Sequence, residues 1–300
     1  MIARFGDFAH STQMGRLLLE AQTRSRSLQT QLGTSKAAAS FREIGSDTKR
    51  LLDAKTMLQR TRQFERDNGV VHGRLQMMEG AITTMTEVGD RLRVLLVQRL
   101  NDSSSHLGQT AIEAELLLSQ VVGSLNIRLD GRHLFAGSAT DRAPVELDPA
   151  FAAFGSADDT YYRGDEVELA VRADDGLQIT YGMTAARAGF AELIGALRAA
   201  MEGDGGDDRA LLEQALGLVN DALPKLADYR GEIGARSAQL EQVNHVHGLS
   251  GVYLQQRISD IEDVDIAEAV TRLMQDQLAL EAAMATISRL SRLSLVDYIR

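Results

Sequence analysis

Apolar residues recur every three or four positions over both the first and the last third of the chain. Residues 57 to 96 carry Met57, Phe64, Val71, Leu75, Met78, Ile82, Met85, Leu92 and Leu96 in 4-3 spacing. A second run carries Leu212, Leu216, Val219, Leu223, Leu226, Ile233, Leu240, Leu254, Ile258 and Ile261. That period puts one stripe along each helix, and a stripe is stable only against a partner helix. The pattern predicts two long helices packed antiparallel. With Leu100 beside Leu212 and equal rise along both, Asn68 comes level with Asn244 and close to His247, within about three turns or roughly 16 Å. A polar layer in an apolar seam fixes register at some cost in stability.

Shorter elements surround this pair. A first helix is expected from Ser11 or Thr12 to Leu32, with Met14, Leu18, Ala21, Ser25, Leu28 and Leu32 on one face and Gly33 ending it. Gly33 to Gly45 reads as a loop or broken helix, and Ser46 to Leu100 as the long second helix. Asn101 to Ser105 reads as a capped turn before a third helix with Ile112, Leu116, Val122 and Leu129 on its face. In the last third the phase survives Pro224, so a kink is expected there and not an end. It fails between Ile261 and Ile266, where Asp265 and Glu268 can cap a fresh helix carrying Ile266, Val270, Leu273, Leu280, Met284 and Ile287 and continuing through Leu290, Leu293, Val296 and Ile299.

The middle of the chain has a different texture. Half of the 14 aromatic residues fall between Phe135 and Phe190, with Pro144 and Pro149. Tyr161 to Asp165 reads as a strand entering a turn. Val167, Leu169 and Val171 alternate with polar or small residues, and Asp174-Asp175-Gly176 is a turn before Leu177, Ile179 and Tyr181. A small antiparallel sheet follows, then a helix from Ala185 to Met201 and an acidic linker from Gly203 to Asp208. The expected fold is mainly α: a long antiparallel coiled-coil bundle of N- and C-terminal regions, with a small β-rich α+β domain inserted between them.

Composition narrows the function. The net charge of -10 argues against nucleic acid, whose binders need a basic stripe, and the arginines from Arg60 to Arg66 are interrupted by Glu65 and Asp67. With no cysteine, neither disulfides nor thiolate metal sites can contribute. Residues 1 to 13 lack the apolar core of a cleaved secretory signal, and no run reaches the length of a membrane span.

Candidate chemistry dissolves on inspection of spacing. His245 and His247 beside Glu241 suggest a metal, but positions i and i+2 lie about 200° apart on a helix, so no shared face results. Gly203 to Asp208 suggests a calcium loop, yet Asp204, Asp207 and Asp208 run directly into a helix without the late bidentate carboxylate. They read instead as a flexible linker with a helix cap. Ser103 to Ser105 lack a nucleophile elbow, and the glycines match neither a phosphate loop nor a dinucleotide fingerprint. The residues indicate no enzyme, no cofactor and no metal.

The strongest local signal is Asn126-Ile127-Arg128-Leu129-Asp130-Gly131-Arg132-His133-Leu134-Phe135-Ala136-Gly137-Ser138-Ala139-Thr140-Asp141. Physically it reads as a helix ending at a glycine, a short strand and a small-residue turn. It resembles the bacterial flagellin family, and within it the hook-associated branch whose members join hook to filament. Gln29 to Lys36 is similar to the N-terminal signature of that family, with the usual glycine displaced. Tyr161 to Gly164, Gln178 to Gly182 and Ala185 to Leu197 resemble the short middle domain of the junction branch. Asp260 to Ala269 and Ser294 to Ile299 resemble the C-terminal motif and apolar tail. The proline-flanked acidic segment common in the family after the N-terminal signature is replaced by Phe41 to Asp47.

The resemblance implies a structural subunit of the bacterial flagellum at the hook-filament junction, in a helical homo-oligomer built by coaxial packing of terminal helices. Residues 1–44 and 262–300 would form the inner polymerisation domain, 45–136 and 207–261 the long-helix domain, and 137–206 the outward-facing β-rich domain. The implied assembly residues are Met14, Leu18, Leu28 and Leu32 on the N-terminal helix, and Leu280, Met284, Ile287, Leu290, Leu293, Val296 and Ile299 on the C-terminal one. Partners would be further copies, hook-associated and flagellin subunits, and a cytoplasmic export chaperone. There would be no nucleic acid and no membrane insertion. Type III export to an extracellular position would need no cleaved signal peptide. A filament flagellin would share the fold, and a cytoplasmic coiled-coil scaffold would share the seams.

Overall fold

Two apolar stripes of matched period have one economical solution, and the chain adopts it. The computed structural model describes residues 2–38, 40–101, 108–147 and 161–298, with side chains described except at 2–11, 41, 43 and 289–298. The fold is a helical bundle with two small antiparallel hairpins in its middle. By contacts it divides into two compact units, Thr61–Leu249 and Met1–Arg60 with Ser250–Arg300. Helices α3 (Thr48–Asn101) and α6 (Arg209–Glu262) contribute to both.

Within Thr61–Leu249, α3 and α6 run antiparallel. Arg209 Nη1 donates to the Leu100 carbonyl at 3.0 Å, Gly89 lies against Leu223, and His72 Nδ1 lies 3.0 Å from Ser237 Oγ. Leu75, Met78, Ile82, Met85, Leu92 and Leu96 on α3, and Val219, Leu226, Ile233 and Leu240 on α6, are buried. The polar layer falls where equal rise puts it: Asn68 Nδ2 donates to Asn244 Oδ1 at 3.0 Å. His247 joins it on the seam, stacked on Phe64 at 5.5 Å between ring centroids. His247 Nε2 and Asn68 Nδ2 both reach the carbonyl of Ala173 at 3.0 Å, so His247 carries its proton on Nε2. Pro224 lies inside α6, which continues to Glu262.

The third helix buries a different face from the one its apolar spacing suggests. In α4 (Gln109–Leu125) the inward positions are Thr110, Ala114, Leu117, Leu118, Val121 and Leu125. Ile112 and Leu116, expected inside, are 63% and 67% exposed, and Leu129 lies beyond the helix in a strand. The run Leu116-Leu117-Leu118 offers two overlapping stripes, and packing against the rest of the core selects the one containing the small residues Thr110 and Ala114. The turn expected at Asn101 to Ser105 falls partly outside the described residues, and Asn101 itself still belongs to α3.

Nor does α4 end at a glycine. Its cap is Asn126, and Gly131 instead turns the hairpin β1 (Arg128–Leu129) to β2 (Arg132–His133). Asp130 and Gly131 have φ of 51° and 77°, the left-handed pair that a two-residue turn between twisted strands requires. At Gly137, φ is 69° and a side chain would collide with Asp165. Asp165 accepts there from the Ser138 hydroxyl and amide and, two residues on, from Val167 N, and these bonds, the hydroxyl's foremost, hold its carboxyl below the ordinary aspartate range. The second hairpin, β3 (Ala170–Asp174) to β4 (Leu177–Thr180), turns at Asp175-Gly176 as the alternation predicts. Tyr161 and Tyr162 form no extended strand: Tyr162 makes an isolated bridge to Val145, and the Tyr161 hydroxyl donates to the Ala185 carbonyl at 2.7 Å.

Helix α5 spans Ala188–Gly205, three residues later at its start and four at its end than expected. Phe190, Leu193, Ile194 and Leu197 join Phe135, Tyr181 and Met183 in the same core as the α3–α6 seam. The acidic stretch is not a free linker. Asp204 is fully buried; its Oδ1 accepts from Arg99 Nε at 2.6 Å and its Oδ2 from the Ala111 amide at 2.9 Å. Asp207 accepts from Arg99 Nη2 at 2.7 Å, and Asp208 caps α6 through the amides of Ala210 and Leu211. Arg187 ties the start of α5 to α6: it donates to Glu232 and Glu168 and covers the Tyr229 ring at 5.2 Å.

The other unit contains α1 (Ile2–Thr34), the short helix α2 (Phe41–Ile44), a 3-10 turn at Gly45–Asp47, the first turns of α3, the last turns of α6, and α7 (Ile266–Tyr298). Helix α1 begins well before Ser11. No proline interrupts Ile2 to His10, so Ser11 and Thr12 are interior positions and not caps. Met57 is 57% exposed, and Leu58 takes its seam place with Leu51 and Leu254. The break between α6 and α7 is as read: Asp265 Oδ1 accepts from the amides of Ala267 at 2.9 Å and Glu268 at 3.1 Å.

Candidate assembly surface

Helices α1 and α7 pack against each other, antiparallel. Arg24 lies 3.7 Å from Asp276, and Lys36 forms an antiparallel bridge with Asp263, so facing residues have numbers that sum to about 300 along the pair. The described inner faces are narrow: Ala21, Ser25 and Ala269 are the buried positions. Small residues let the helices approach closely, but they remove little apolar area from water.

The predicted residues divide accordingly. Met14, Leu18, Leu28, Leu32, Leu280 and Ile287 are half-buried. Met284 is 50% exposed. The side chains of Leu290, Leu293 and Val296, and all of Ile299, lie outside the described residues. The stripe pattern missed a second set on the outward side: Leu17, Leu19, Met274 and Leu278, of which Leu278 is 70% exposed. Their signal was present in the spacing of Met274 and Leu278, which repeats at i, i+4 one position beyond the chosen stripe at Leu273. A helix that is apolar over more than one face has more than one neighbour to find.

Where the pair begins, four charged side chains converge. Lys36 Nζ donates to Asp263 Oδ1 at 2.7 Å and to Glu262 Oε2 at 3.3 Å, and Lys55 Nζ donates to Glu262 Oε1. Hydrogen bonding to Lys55, then to Lys36, holds the Glu262 carboxyl below the ordinary glutamate range. Asp263 is likewise depressed, chiefly by Lys36 and then by the Ser259 hydroxyl, and Lys36 is raised chiefly by Asp263. Backbone bonds run alongside: Ala37 N to Glu262 O at 2.8 Å and Val264 N to Ser35 O at 3.2 Å.

Chemistry elsewhere is sparse. His245 is exposed while His247 is buried, so the two share no face. Among the described residues no group of His, Cys, Asp and Glu could hold a metal ion, and no helix is long and apolar enough to cross a membrane. Packing does assemble one set that spacing could not show: Ser237 Oγ at 3.0 Å and Glu241 Oε1 at 3.4 Å from the two nitrogens of His72. Ser237 sits mid-helix, where backbone amides are committed to carbonyls four residues back, so no free pair of donors is available to stabilise an oxyanion.

Comparison with known proteins agrees with this architecture. The chain resembles FlgL of Bacillus cereus at 19% identity, covering 70% of this chain and 98% of that one with a TM-score of 0.57. A putative flagellar hook-associated protein of Vibrio parahaemolyticus matches at 16% identity, 72% and 97% coverage and a TM-score of 0.59. Flagellar hook associated protein-3 of Legionella pneumophila matches at 14% identity, 68% and 97% coverage and a TM-score of 0.55. At these identities the likeness is one of fold. No curated protein matches in sequence. The bacterial flagellin N-terminal helical region matches residues 8–140 and the C-terminal helical region matches residues 216–299, which together take in α1, α3, α4, most of α6 and α7. On these two matches the chain belongs to the bacterial flagellin family.

Proposed function

We propose that this chain is the structural subunit that joins hook to filament in the bacterial flagellum, assembling through α1 and α7 into a helical homo-oligomer. The observation that carries the reading is the unfinished state of that helix pair. Among the described residues it buries only small side chains inside and presents Leu17, Leu19, Met274, Leu278 and Met284 outward, whereas the α3–α6 seam buries large ones completely, Leu75, Ile82, Leu92, Leu226 and Ile233 among them. Met14, Leu18, Leu28, Leu32, Leu280 and Ile287, half-buried in the pair, support it from within, and Leu290, Leu293, Val296 and Ile299 continue the apolar series in sequence. Only residues 141–215 separate the two matched family regions, a short middle that favours a junction subunit over a filament flagellin.

In this reading residues 1–44 and 262–300 form the inner layer, 45–136 and 207–261 the next, and 137–206 face outward. The neighbours are further copies, hook-associated subunits and flagellin. Export without a cleaved signal leads to an extracellular position, with a cytoplasmic chaperone covering the apolar tail beforehand. No step of chemistry is required of the chain.

Deletion of residues 289–300 tests the role of the tail. The monomer should keep its helicity and thermal unfolding, while incorporation into the flagellum, chaperone binding and motility are lost. Normal assembly of the truncated chain, or collapse of its whole core, would show that the tail does not serve an intersubunit contact.

A further inference from the structure

Asparagine followed by glycine occurs once in this chain, at Asn68-Gly69, and the pair falls in the interior of α3. Asn101, Asn126, Asn220 and Asn244 precede aspartate, isoleucine, aspartate and histidine. The neighbour matters because glycine has no Cβ to hinder its own amide nitrogen, or the turn of backbone that brings that nitrogen onto the preceding side-chain carbonyl. In an open chain Asn68 is therefore the amide most prone to intramolecular attack. The closed structure treats the two residues in opposite ways: Asn68 is fully buried, whereas Gly69 is exposed and a methyl group in its place would meet nothing.

Folding blocks that attack in several ways at once. Helical backbone fixes the Gly69 nitrogen along the helix axis and commits its N–H to the carbonyl four residues back. The nitrogen that would leave, Asn68 Nδ2, donates to the Ala173 carbonyl and to Asn244 Oδ1, both at 3.0 Å. Attack would also place negative charge on Asn68 Oδ1, which is buried and accepts no hydrogen bond among the described residues, so no donor stabilises that charge. Loss of the amide would be felt at this level. Both atoms bonded to Nδ2 are oxygens, and a carboxylate in its place would face acceptors where it needs donors.

We propose that Asn68-Gly69 is a covalent modification site that folding closes: when α3 opens there, the Gly69 nitrogen attacks Asn68 Cγ and the asparagine is converted to aspartate or isoaspartate. The N–Cγ bond forms as Cγ–Nδ2 breaks, and Nδ2 leaves as ammonia with the Gly69 amide proton. Water then adds to one of the two carbonyls of the five-membered imide. Cleavage of the new N–Cγ bond gives aspartate, and cleavage between that nitrogen and the backbone carbonyl carbon of residue 68 gives isoaspartate, whose main chain runs through the side chain. Water is the only co-reactant, and the step is not a redox one. Aspartate brings a charge into the buried seam, and isoaspartate lengthens the main chain and breaks the helix ladder, so either product opposes closure of α3 on α6. A closed chain keeps its amide; a chain left open is marked irreversibly. The proposal concerns Thr61–Leu249 alone and does not depend on the junction role.

Trypsin releases the site as the peptide Asp67–Arg74, so mass spectrometry of the full-length protein after incubation in mildly alkaline buffer reads it directly. In urea above the unfolding transition this peptide should pass from amide to acid faster than the peptides holding the other four asparagines. Over the same time without urea it should remain amide. Gly69→Ala should slow the reaction in urea several-fold, since the added methyl hinders ring closure while the folded helix has room for it. Asn68→Asp, made directly, should unfold at a lower urea midpoint than wild type, and its failure to fold would carry the same message. Equal rates with and without urea, an Asn68 no faster in urea than Asn126, or a wild-type midpoint in Asn68→Asp would each overturn the proposal.

Discussion

Glutamate at both Met274 and Leu278 is expected to abolish assembly while leaving the monomer folded. The two side chains are 64% and 70% exposed, so the isolated chain has little packing to lose. In the assembled state the account places them against a neighbouring copy. Full burial of an aliphatic side chain is worth about 1.5 to 3 kcal/mol, so two of them lost per contact amount to about 3 to 6 kcal/mol. That corresponds to a fall of about a hundredfold to ten-thousandfold in each association step, and buried carboxylates would add to it. Circular dichroism should show an unchanged thermal midpoint, and sedimentation under assembly conditions should show monomer only. Leu280→Glu differs in kind: Leu280 is half-buried in the pair itself, so its replacement should also loosen α1 from α7.

The second large effect is expected at Asp204→Ala. Asp204 is fully buried, bonded to Arg99 and to the Ala111 amide, and Arg99 is only 11% exposed at its side chain. Removing one member of a buried pair leaves the other charge with too little compensation, a loss of about 3 to 5 kcal/mol. Asp207 remains on Arg99, which keeps the loss toward the lower end. The cycle with Arg99→Met separates pairing from packing. In urea unfolding the double variant Arg99→Met/Asp204→Leu should be more stable than Asp204→Ala alone, because no buried charge is left short of a partner and Asp207, which loses Arg99, is exposed to water. If Asp204→Ala unfolds at the wild-type midpoint, the α3–α4–α5 corner is held by something other than this pair.

What could be read from sequence follows the range of the interaction. The α3–α6 seam was legible down to the level of Asn68 with Asn244, because large aliphatic residues repeat at a fixed period and equal rise does the rest. Turns were legible where glycine and aspartate chemistry is local, as at Asp175-Gly176. The outward face of α4 was not, since Leu116, Leu117 and Leu118 satisfy two stripes and only tertiary packing chooses between them. Met57 was taken for Leu58 for the same reason. The burial of Asp204 was hidden because its partner Arg99 lies 105 residues away, and the pairing of Lys36 with Glu262 because the two are 226 apart. On the candidate assembly surface, one stripe per helix was read where the described residues carry two. The set at Leu17, Leu19, Met274 and Leu278 emerged only once the inner faces had been filled.

The central claim concerns position, and labelled protein on intact flagella tests it. An antibody-gold or fluorescent tag on the middle segment should mark one narrow band where the hook meets the filament. Label along the whole filament would make the chain a filament flagellin, and label confined to the cytoplasm, with none on flagella, would contradict the account.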